Sequence, residues 1–63
     1  MDEIVFVVEE DKVEGVYNAY SIGQSIFTFG KDENELLKNI YEAVACHFED
    51  GKSPAIIRLQ KAF

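Results

Sequence analysis

One cysteine, one histidine, one proline and no tryptophan occur in these 63 residues. Each scarcity closes a route. A single Cys46 forms no internal disulfide. Beside His47 as the sole histidine, with no CxxC pair, it also falls short of the three or four protein ligands of a zinc site. A domain this small needs a staple beyond its own core, so with disulfide and metal excluded, self-association is what remains. Cations are also few: six Lys and Arg stand against twelve Asp and Glu, for a net charge of -6. Lys12, Lys31, Lys38, Lys52, Arg58 and Lys61 are scattered, which excludes the clustered positive patch that nucleic-acid binding requires. A basic protein partner suits the charge better. No apolar run approaches the roughly 20 residues that span a bilayer. The opening MDEIVFVVEED flanks its apolar run with acids, without the basic n-region of a signal peptide. A reduced, cytoplasmic setting is expected, with no membrane partner.

What is present is a folding composition, 48% hydrophobic and 29% charged, without the signature of disorder. A chain this short makes one domain, residues 1–63. IVFVV, residues 4–8, is β-branched and aromatic and predicts a strand. EEDKVEG is a polar connection whose Gly15 supplies the positive φ of a hairpin turn or bulge. VYNAYS and SIFTF, residues 16–21 and 25–29, predict two more strands, and the short links make the three an antiparallel meander.

The residues from Gly30 to Gly51 predict a helix of about five turns. Asp32 is the N-cap, and Glu35, three residues on, completes a capping box. Leu36, Leu37, Ile40, Ala43, Val44 and Phe48 form the apolar stripe. Gly51 is placed to end the helix as its C′ residue. AIIRLQKAF, residues 55–63, predicts a fourth strand running parallel to the first. It lies either beside that strand, in the order 3-2-1-4, or against a second subunit. The fold class is α+β, two layers in β-β-β-α-β order.

One helix covers one sheet face, yet the first strand is apolar on both: Ile4, Phe6 and Val8 on one side, Val5 and Val7 on the other. An antiparallel sheet with a solvated face alternates apolar and polar. Val5 and Val7, with aromatics from Phe27 and Phe29 or from Tyr17 and Tyr20, therefore predict a second face covered by another copy, in a homodimer or larger oligomer.

From Thr28 to Val44, TFGKDENELLKNIYEAV resembles the HicB-like antitoxins of type II toxin–antitoxin systems. Thr28 and Gly30 match the family's strand end, Glu35 and Leu36 its opening helical turn, and Asn39, Ile40, Glu42 and Ala43 its helix centre. The acidic loop with Gly15 fits as well. Lys31 and Asp32 stand where the family has Asp-Thr, which keeps an N-cap. The resemblance extends from about Ile4 to Phe48 and implies a portion that self-associates and covers a small, basic RNase of the HicA-like toxin type. The helix-turn-helix or ribbon-helix-helix domain of full antitoxins is not expected within these residues.

Three functional expectations follow. The first is a non-enzymatic, antitoxin-like binding module whose acids Glu9, Glu10, Asp11 and Glu14 face the toxin. Read by composition alone, the same acids are a solvated loop that keeps the sheet soluble. The second is a stand-alone oligomeric domain with a regulatory or small-ligand role and no toxin. The third, a hydrolase using Cys46, His47 and a carboxylate, is disfavoured, because neighbours on a helix project about 100° apart and a nucleophile needs an oriented base within reach. No catalytic residue, metal or cofactor is expected. GQSIFTFG lacks the second glycine of a nucleophile elbow, and FGKDE lacks a phosphate-binding loop.

Overall fold

The computed structural model describes residues 2–49 and 51–63. Strand β1 (Glu3–Asp11), strand β2 (Val16–Ser21), strand β3 (Phe27–Gly30), helix α1 (Glu33–His47) and strand β4 (Ile56–Lys61) follow in that order. They build an α+β domain whose sheet runs β3-β2-β1-β4. β1 pairs antiparallel with β2 and parallel with β4, and β2 pairs antiparallel with β3. The fourth strand thus lies beside the first within its own chain.

The core follows from strand alternation. Ile4, Phe6 and Val8 point to one face of β1, and Ala19, Ile26, Leu36, Ile40 and Val44 bury against them. Register sets Phe6 between Ser21 of β2 and Leu59 of β4, and Phe6 and Ile40 have no exposed surface. Among the described residues every buried side-chain nitrogen or oxygen has a hydrogen-bond partner. Ser21, the polar member of the core layer, donates its hydroxyl to the Gln24 carbonyl at 2.7 Å.

The helix start forms as expected. Asp32 is the N-cap, and its Oδ1 accepts from the Glu35 N–H at 2.8 Å. Glu35 reaches one residue further back than in a standard capping box, accepting from the Lys31 N–H at 2.8 Å. One free first-turn donor, the Glu35 N–H, and the Lys31 N–H just ahead of the cap are thereby satisfied. From there α1 lies closest to β3 and β2. The approach is tight at Gly30, where a Cβ would fall 2.5 Å from the Leu36 nitrogen.

Three boundaries differ from expectation. α1 has 15 residues and stops at His47, about four turns. Phe48, not Gly51, ends it: its backbone is extended, its N–H still donates to the Val44 carbonyl at 3.1 Å, and its ring packs on the core. Burying that ring turns the chain out of the helix before the glycine is reached. Gly51, with φ +78°, serves the connection to β4 instead. β3 begins at Phe27, and just before it the Ser21 N–H donates to the Ile26 carbonyl at 3.0 Å, in register with the ladder, closing the loop between the strands. The fourth strand spans Ile56–Lys61, shorter at both ends than AIIRLQKAF.

Candidate binding surfaces

The sheet face away from α1 is built by register. Val7 of β1 stands opposite Tyr20 of β2, and Tyr20 opposite Phe27 of β3, so these three form one cross-strand row. Phe29 follows beside Asn18. Val5 and Val7 are half-buried, while Phe27 and Phe29 are 64% and 54% exposed. Cross-strand aromatic and β-branched pairs of this kind stabilise a sheet locally, but the outer surface of the rings stays in water. Ile22, in the link between β2 and β3, extends the apolar patch: it keeps the alternation of Tyr20, its N–H donates to the Val5 carbonyl at 2.9 Å, and it is exposed. Toward β4 the face carries exposed Ile56 and the Arg58 guanidinium, which pairs the Glu3 carboxylate at 2.7 Å.

Tyr17 does not belong to this face. Residues three apart on a strand point to opposite sides, so Tyr17 and Tyr20 never share one. Tyr17 stands opposite Gly30, packs against the core on the helix side and meets the Phe63 ring with centroids 5.6 Å apart.

The four hairpin acids divide by role. Asp11 builds the turn: its Oδ1 accepts from the N–H groups of Val13 and Glu14, both at 3.0 Å, and its carbonyl accepts from Gly15 at 2.8 Å. This is an Asx turn closed by Gly15 at φ +73°. Glu9, Glu10 and Glu14 are exposed. The ion pairs among the described residues join Lys52 to Glu49, Arg58 to Glu3 and Lys61 to Glu33, and none draws on the hairpin. Val13, 95% exposed, forms an apolar tip between these carboxylates. No periodicity marks that residue, since a loop has no face to be read from its spacing.

Cys46 and His47, both exposed, border one open depression with Ser25, Ile26, Phe27 and Ala43. Among the described residues no carboxylate lines it. His47 lays its ring edge-on against Phe48, centroids 5.0 Å apart. Among the described residues no acid lines the depression to orient a base, the third member that nucleophilic catalysis uses. Among the described residues no three His, Cys, Asp or Glu side chains gather to hold a metal ion, and no helix is long and apolar enough to cross a membrane.

Comparison with known proteins gives two relatives of similar size. A UPF0150 protein of Archaeoglobus fulgidus is 39% identical over 56 residues, covering 89% of this chain and 82% of its own. A UPF0150 protein of Thermotoga maritima is 45% identical over 49 residues, covering 78% of this chain and 69% of its own. No family model matches the chain, and no solved structure matches it.

Proposed function

The chain belongs to the UPF0150 family, and from that premise we propose that it is a non-enzymatic, antitoxin-like binding module that sequesters a small basic RNase of the HicA-like toxin type. The resemblance to HicB-like antitoxins supports this at the strand end Thr28–Gly30 and the helix centre Asn39–Ala43. The observation that carries it is the hairpin. Glu9, Glu10 and Glu14 stand exposed and outside the ion pairs of the described residues, around an apolar tip at Val13, in a chain of net charge -6. A surface of that kind attracts a basic protein and speeds its encounter.

The experiment is co-expression with a short basic protein encoded in the adjacent reading frame, followed by pulldown and an RNase assay. Wild-type chain captures and inhibits that protein, and the triple variant Glu9→Lys, Glu10→Lys, Glu14→Lys binds at least tenfold more weakly. Failure of the wild type to bind or inhibit any adjacent basic protein overturns the proposal.

Self-association is part of the same proposal, with a second copy covering Val5, Val7, Tyr20, Phe27 and Phe29. A stand-alone oligomeric domain with a small-ligand site is the second reading, favoured by the exposed aromatic row Tyr20–Phe27. Tyr17 and Tyr20, on opposite faces, do not line one pocket for such a ligand.

A further inference from the structure

We draw no further inference here: the strongest candidate, the apolar strip between α1 and β4, where Ile57 and Leu59 lie half-buried beside a cavity of about 40 Å³ lined by Leu36, Leu37 and Phe63, carries nothing, because the Lys61 ammonium at its rim is already paired with Glu33 and nothing in the structure shows what covers it.

Discussion

A Cβ on Gly30 would stand 2.5 Å from the nitrogen and 2.7 Å from the Cα of Leu36, so the end of β3 and the first buried residue of α1 meet at main-chain distance. Neither backbone can step aside as a side-chain tip can. Gly30→Ala is expected to destabilise the fold by about 1–3 kcal/mol, the range for overpacking a tight site. Urea unfolding would read this as a lower midpoint at unchanged slope.

The N-cap gives a graded pair. Asp32→Ala removes the acceptor of the Glu35 N–H and should cost about 0.5–2 kcal/mol. Glu35→Ala frees the Lys31 N–H, an exposed donor that water can satisfy, and should cost less than about 1 kcal/mol. Thermal melts of the two variants should keep that order.

The core is deep relative to the stability of so short a chain. At about 0.05–0.15 kcal/mol per residue, 63 residues hold roughly 3–9 kcal/mol. Phe6, fully buried, loses about 3–5 kcal/mol as Phe6→Ala. That variant should populate the unfolded state, seen as collapsed amide dispersion in NMR, while Ile40→Val at about 0.5–1.5 kcal/mol should remain folded.

On the open face the effect should fall on assembly and leave the fold intact. Phe29→Glu changes a side chain that is 54% exposed, so the monomer keeps its circular dichroism spectrum. A carboxylate desolvated by a second copy is costly, and the solution mass at micromolar concentration should drop. An unchanged mass would remove this face from the interface.

Cys46→Ala and His47→Ala should each shift stability by no more than about 0.5 kcal/mol, as surface changes do, and leave partner binding unaltered. Loss of function in either one would return the depression beside Phe27 to consideration as an active site.

Sequence patterning carried the meander, because short links force antiparallel neighbours, but it left β4 two places, beside β1 or against a second subunit, and the structure shows the first. It carried Ile4, Phe6 and Val8 as the buried face, and Asp32 as the cap, since both depend on spacing within one element. Tyr17 and Tyr20 share a residue type but not a face, since period two puts residues three apart on opposite sides. The helix end is not legible in spacing, because the packing of Phe48 on the core is a tertiary effect that outweighs a glycine signal. Gly30 and Asn39 were visible only as family-like positions. Their contacts, to Leu36 and to the Phe29 carbonyl, join segments that no local period connects. Charge alone groups Asp11 with its acidic neighbours, whereas its carboxylate is committed to the turn.

The parallel pairing of β1 with β4 bears on how the protein is made. During synthesis β1 finds β2 early, across a tight hairpin, but its other edge waits until residues 56–61 have left the ribosome. Until then Ile4, Phe6 and Val8 belong to a sheet with an unpaired inner strand. Closure is a long-range event that local contacts cannot accelerate, so the nascent chain is most exposed to stray strand pairing just before its last element emerges.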